Sequence, residues 1–393
     1  MIIYNKQWLD NKYITDQVTV DYHEGYITKD EYIKIKAAHP IGFYTPGLMV
    51  SAGLFILTFI IAIVSLGLIS VIASGAGALE SPGWPLFSGV IYYITLEILT
   101  KDKNYFHSGV DNALLYFSAI LLGGGFIWMI SKMHLTDGNN LLSAMIILLL
   151  CAALTLRFAD VVTAGAACAA AFACVYFFWE MAGKIGVATM PFMMMIAAGA
   201  SYYLFDKLSH NIRYIYYTNC ISIGKLLSLL TLYAAGNYYV VNTLNNMLNG
   251  LDDTHTTIPV GFIFWMWTAL LPVVYIVFGL KQKDALLMRT GIVLVGATVA
   301  TVRNYYHLLP IEIMLTLSGI ILLAAAYAVI TYLKKPRYGI TYAEPEETST
   351  LDSLNLEGLA IGQAASHLPP AGQGTSTPFG GGSGGGGGSS GSF

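Results

Sequence analysis

The chain has 393 residues, of which 55% are apolar and only 11% charged, with a net charge of −3 and a mean hydropathy of +0.61. A soluble globular protein carries about 25% charged residues to cover its water-facing surface; this composition excludes one and fits a chain surrounded by lipid. The near-neutral balance, without any dense basic patch, excludes a nucleic-acid partner.

The first 45 or so residues are polar and amphipathic. Trp8, Ile14, Val18 and Tyr22 mark one amphipathic helix that ends at Gly25. Thr28, with Glu31 three positions on, forms a capping box that starts a second helix bearing Tyr32, Ile33 and Ile35, closed by His39 and Pro40. Residues 1–40 therefore read as a cytoplasmic helical hairpin, expected to be an independent appendage. The first apolar run goes from Leu48 to about Ser74, too long for the roughly 7–15 residues of a signal-peptide core. An uncleaved anchor is expected.

The run GYITKDEYIKIK, Gly25 to Lys36, looks like the short helical-hairpin motif Gly-x-Ile-Thr-x-x-Glu-Tyr found on many bacterial membrane proteins. With FYTPGLMVSAGLFILTFI, Phe43 to Ile60, it resembles a family of uncharacterised bacterial multi-pass membrane proteins. The resemblance covers about the first 60 residues and, loosely, a Gly-rich C-terminus. It implies an architecture, a hairpin ahead of a multi-span region, and no site.

A helix of about 20 apolar residues crosses the hydrocarbon core with its backbone groups satisfied internally. Ten segments qualify over residues 46–333: Leu48–Ser74, Pro85–Leu99, Val110–Ser131, Leu141–Leu156, Val161–Trp179, Val187–Phe205, Ile221–Val241, Ile258–Leu280, Ala285–Val302 and Ile311–Leu333. The second and fourth are short and must borrow turns from their flanks or sit where the bilayer thins. The fold class is thus all-α, a polytopic transmembrane bundle of about ten spans.

With the N-terminus in the cytoplasm, only Lys132, Lys184 and Arg303 fall outside, and the other 17 of the 20 Lys and Arg fall inside. That bias sets the orientation, with both termini cytoplasmic, and the resemblance to bacterial membrane proteins implies an inner membrane. Tyr202, Tyr203, Tyr216, Tyr217, Tyr238, Tyr239, Tyr305 and Tyr306 sit towards the proposed span ends, where amphipathic rings collect.

Residues 338–393 change character. Glu344, Glu346, Glu347, Asp352 and Glu357 are acidic, and Gly380 to Phe393 is almost all Gly and Ser. Such a segment buries too little to offset its ordering entropy and is expected to be disordered. The resemblance reads the final run as native, although its composition also suits an engineered linker.

Phosphate loops, nucleotide fingerprints, zinc-type His spacings and nucleophile elbows are missing from the sequence, so no cofactor and no enzymatic activity are expected. Asp252, Asp253 and His255 read as a solvated loop rather than a cation site. Cys151, Cys168, Cys174 and Cys220 read as reduced packing residues. Ionisable groups within spans are candidates for function: Glu97 near Lys101, Lys225 and Arg289, the last two expected to snorkel. Arg157 is expected to pair with Asp160, and Arg303 with Glu312. Gly165 and Ala169, four apart in AGAACAAAFA, predict a small face that packs span five centrally. Gly123, Gly124, Gly125 and Pro191 predict locally weakened or kinked helices.

These observations lead to a non-enzymatic membrane component that works through a protein partner at the hairpin or tail. A transporter or channel for a small solute is the alternative.

Overall fold

A computed structural model describes residues 2–23, 25–74, 78–133, 139–249 and 260–305, with isolated positions from 313 to 331. The expected tail, the Asp252–His255 loop and most of the run Ile311–Leu333, with Glu312, lie outside the described residues. Among the described residues every regular element is helical, apart from one bridge between Tyr44 and Tyr105.

The hairpin helices are α1 (Lys6–His23) and α2 (Lys29–Ala38). Gly25 turns the chain at φ +80°, a left-handed conformation that glycine adopts without steric cost. The capping box is complete: the Glu31 amide donates to the Thr28 hydroxyl, and the Thr28 amide and hydroxyl donate to the Glu31 carboxylate at 2.8 and 2.7 Å.

Then follow α3 (Leu48–Ser74), α4 (Gly83–Lys103), α5 (Val110–Lys132), α6 (Asn139–Phe158), α7 (Val161–Glu180) and α8 (Gly183–Ser209). A 3-10 turn, Ile212–Tyr217, leads into α9 (Thr218–Gly236), and α10 (Tyr238–Asn249), α11 (Gly261–Gln282) and α12 (Ala285–Tyr305) complete the described bundle. Eight of these, α3, α5 to α9, α11 and α12, are long and apolar enough to cross a bilayer, and the chain is an integral, multi-pass membrane protein. The two short segments do borrow turns from their flanks, as α4 and α6. Tyr92, Tyr93, Glu97 and the charged end from Lys101 to Lys103 make α4 less apolar, and it is not among the eight.

Direction can be read from hydrogen bonds. At one end of α3, Ser51 donates to the His107 carbonyl just before α5, and the Gly109 backbone presses on the Ser51 carbonyl. At the other end, Trp84 at the start of α4 donates to Ser70 at 3.1 Å, with Tyr92 and Ser65 bonded between them. So α3 and α5 run parallel, and α4 runs back alongside both. From Ser51 to Ser70 the rise is about 28 Å, comparable with a hydrocarbon core.

Glycines set the spacing between these helices. Gly89 of α4 lies under Leu122 of α5, and Gly125 of α5 under Leu86 of α4, each with less than 3.0 Å for an added Cβ. Gly123 faces Ile147 of α6 and Gly124 faces open space. The expected weakening at the triple glycine is not seen: α5 runs unbroken from Val110 to Lys132, because close packing on two sides supports the helix. The α11–α12 pair uses the same device, with Gly279 against the Met288 backbone and Gly291 against Ile276 and the Pro272 carbonyl. Without water between helices to drive association, such close backbone approach is a main source of cohesion.

Two expectations are corrected here. The hairpin is not an independent appendage: Tyr4 and Leu9 are buried in one cluster with Leu96, Leu114, Leu115, Leu154 and Phe158 of the bundle. The Ile3 amide donates to the Arg157 carbonyl at 3.0 Å, and the Trp8 indole packs on Gly42 and Phe43. By contrast α2 has no buried residue. The predicted span Ile221–Val241 is also not one helix. It breaks at Asn237, whose backbone is extended (φ −71°, ψ 125°).

Candidate functional site

The break at Asn237 begins with local chemistry. Asn competes with the helix by accepting backbone amides through its side chain. Here the Asn237 Oδ1 accepts from the amides of Tyr239 and Val240 at 3.0 and 3.2 Å, capping α10. The Asn237 amide reaches back only to the Ala234 carbonyl, and the Tyr238 amide leaves the helix altogether for the Thr268 hydroxyl of α11 at 3.0 Å. In an unbroken helix the carbonyls of Tyr233, Ala235 and Gly236 would receive these amides; the break takes those donors away.

Depth follows from the neighbours. Thr268 lies about 10 Å along α11 from its first residue, Gly261, so the break sits inside the bundle rather than at its rim. Asn237 is 2% exposed and Thr268 is 0% exposed. The Asn237 Nδ2 donates to the Tyr233 and Thr301 hydroxyls, both at 3.0 Å, and Tyr233 meets Thr298 at 3.0 Å. One turn after Thr301 on α12, Tyr305 accepts from the Asn242 Nδ2 at 3.0 Å. The rings of Tyr238, Trp265 and Tyr305 close around this seam, with centroids 4.8 to 5.7 Å apart. Gly236 is needed beside them, since Trp267 and Met195 occupy the space of a Cβ.

Helix α10 buries Tyr238, Val241, Asn242 and Asn246 and exposes Tyr239, Val240 and Met247. Two asparagines, one turn apart, thus point inward from a helix too short to cross a bilayer. The Asn242 Oδ1 is buried and has no hydrogen-bond partner, a costly arrangement for an amide oxygen in an apolar setting.

The predicted polar candidates do not join this seam. Glu97 sits at the hairpin end, 23% exposed, where Arg157 meets it at 3.0 Å, Lys101 at 3.3 Å and the Tyr93 hydroxyl at 2.9 Å. Arg157 therefore turns to Glu97 rather than to the expected Asp160. Asp160 instead caps α7 through the Thr163 amide and accepts from Tyr116 at 2.9 Å. Asp111 accepts from the His107 and Ser108 amides and the Ser108 hydroxyl. Lys225 does not snorkel freely: it pairs with Asp206 of α8 at 2.8 Å, with its side chain 12% exposed. Arg289 lies about one turn into α12 on an exposed position and has an interaction partner there.

The structure separates the two residues predicted as the small face of α7. A Cβ added at Gly165 would meet Ile223 and Leu227 of α9 at 3.7 Å, an ordinary contact distance, but Ala169 is exposed. The buried small residues are Ala164, Cys168 and Ala170, because the helix is rotated from the assumed face. Cys151, Cys168, Cys174 and Cys220 are all free thiols. Among the described residues no three His, Cys, Asp or Glu side chains come together as a metal site.

Sequence reasoning missed Asn237, Asn242 and Asn246. Their signal was present: a Gly-Asn pair interrupting an apolar run, followed by asparagines at helical spacing. No family model, no curated protein and no solved structure matches the chain.

Proposed function

We propose that this chain is a ten-span, non-enzymatic protein of a bacterial inner membrane, with both termini in the cytoplasm, acting through protein partners at its cytoplasmic face. The observation that carries the reading is the contrast within the hairpin. Its first helix is anchored in the bundle core through Leu9 and through Tyr4 just ahead of it, whereas α2 buries nothing and presents Ile33, 53% exposed, with Tyr26, 70% exposed, in the turn before it. A mounted helix with an open face suits a partner and gives that contact a mechanical route into the spans.

The ten-span count draws support from α4, which runs antiparallel to α3 over about the thickness of a hydrocarbon core, and from the apolar run Ile311–Leu333. The orientation draws support from Lys101, Lys103 and Arg157, which end α4 and α6 at the same face as the hairpin, as the positive-inside rule requires. The non-enzymatic reading draws support from Asp111 and Asp160, whose carboxylates are occupied as caps.

The test is photocrosslinking in cells with a reactive residue at Ile33 or Tyr26, and at Ile63 on the exposed side of α3 as control. Discrete protein adducts at Ile33 and Tyr26 but not at Ile63 are expected. Absence of adducts at both hairpin positions would refute the partner reading. A second reading, a conduit for a small solute, is favoured by the helix break at Asn237, since discontinuous spans expose backbone groups to a substrate.

A further inference from the structure

We propose that the α9–α10 break binds a monovalent alkali cation, held by neutral oxygen atoms. Donors and backbone acceptors at the break do not balance. Every amide at the start of α10 is used: Tyr238 on Thr268, Tyr239 and Val240 on Asn237 Oδ1, and Val241 on the Asn237 carbonyl at 3.0 Å. Both donor positions of Asn237 Nδ2 are used as well. The backbone acceptors just before the break are not matched in this way. The carbonyls of Tyr233, Ala235 and Gly236 lose their helical donors, and they belong to a helix C-terminus, the negative end of its dipole.

An independent observation points the same way. Asn242 is 3% exposed, and its Oδ1 has no partner while its Nδ2 is held by Tyr305. Asn237 and Asn242 engage successive turns of α12, Thr301 and Tyr305, so Asn242 points into the same seam as the break. A buried acceptor excess is relieved by a donor or a cation.

The ligand class follows from the lining. Asn, Thr, Tyr and backbone carbonyls are neutral, and no carboxylate is among them. Divalent cations ordinarily demand carboxylates, whereas neutral oxygens that replace a hydration shell suit an alkali ion. The one charge nearby in sequence, Arg303, is two residues from Thr301 and so lies about 200° around α12 from it. The proposal uses the same break as the conduit reading but does not require transport: binding is measured on detergent-solubilised protein, and flux separately in proteoliposomes.

The experiment is equilibrium binding of radioactive sodium and rubidium to the full chain in detergent, with thermal melting in NaCl, KCl and choline chloride at equal ionic strength. Saturable binding of one tracer is expected, with a melting midpoint raised by about 3 °C over choline. Asn242→Leu, which removes the orphaned oxygen, should abolish both the binding and the shift. Absence of saturable binding of either tracer by the wild-type chain would overturn the proposal, even if the variant failed to fold. Binding undiminished in a folded Asn242→Leu protein would overturn it too. Binding without flux would leave the site standing and remove the conduit reading.

Discussion

The hydroxyl of Tyr216 donates to the Asp10 carboxylate at 2.6 Å, across 206 residues of chain. It ties the hairpin to the turn before α9, while Ile3 and Tyr4 tie it to α5 and α6. The hairpin is held at two places on one face of the bundle. Burial and the nearby Asp111 carboxylate push the Tyr4 phenol well above its ordinary range, so it remains neutral there.

Removing that anchor should loosen the whole end. Tyr4→Ala deletes a ring packed against Phe43 and Phe106, and truncating a buried aromatic costs about 3–5 kcal/mol. The melting temperature in detergent should fall, and hydrogen exchange should quicken in α1 and at Asn104 to Ser108 together. Faster exchange in α1 alone would mean that the hairpin is a separate unit.

The glycines offer a paired comparison within one helix. Gly125→Leu must displace Leu86 and should destabilise by about 1–3 kcal/mol, whereas Gly124→Leu, with nothing within 4 Å, should be near neutral. On α7, Gly165→Leu should cost more than Ala169→Leu, since only Gly165 meets a neighbouring helix. Melting curves of the four variants check this, and equal shifts would contradict the packing.

Lys225 is nearly buried and Asp206 is 40% exposed, so the two halves of the pair are not equivalent. Asp206→Asn strands a desolvated ammonium and should cost about 1–3 kcal/mol. Lys225→Met leaves a carboxylate that water still reaches, and should cost less. Denaturation of the two variants and their double mutant would reveal the asymmetry or its absence.

The capping box of α2 gives a pH dependence. Hydrogen bonds from the Thr28 amide and hydroxyl hold the Glu31 carboxyl below the usual range. A depressed folded pKa means that its contribution is present above the ordinary Glu value, about 4.3, and is lost as pH falls through the folded value. Protection of the α2 amides, corrected for intrinsic exchange, should therefore drop only in acid. Glu31→Gln should remove this dependence.

Much of the bundle was legible because lipid imposes a length. Apolar runs located the eight apolar helices to within a few residues at most ends, and the Thr28–Glu31 spacing revealed a cap that needs no tertiary context. What escaped depends on distant partners. Arg157 has Asp160 three residues away yet bonds Glu97, 60 residues off. The amphipathic pattern of α1 shows that it buries a face without saying against what. Ile221–Val241 reads as one span because its break is stabilised by Thr268 and Thr301 on helices that follow much later. The face of α7 was misassigned because small residues occur nearly all round it.

The orientation of the hairpin face is the claim on which the account turns. In a variant with its four cysteines replaced by alanine, single cysteines are introduced as Tyr13→Cys on α1, Thr254→Cys and Ser349→Cys. An impermeant maleimide added to intact spheroplasts should label only the Thr254→Cys protein, and the other two should react once the membrane is opened. Labelling of Tyr13→Cys in intact spheroplasts would invert the molecule. Labelling of Ser349→Cys alongside a protected Tyr13→Cys would make the number of crossings odd.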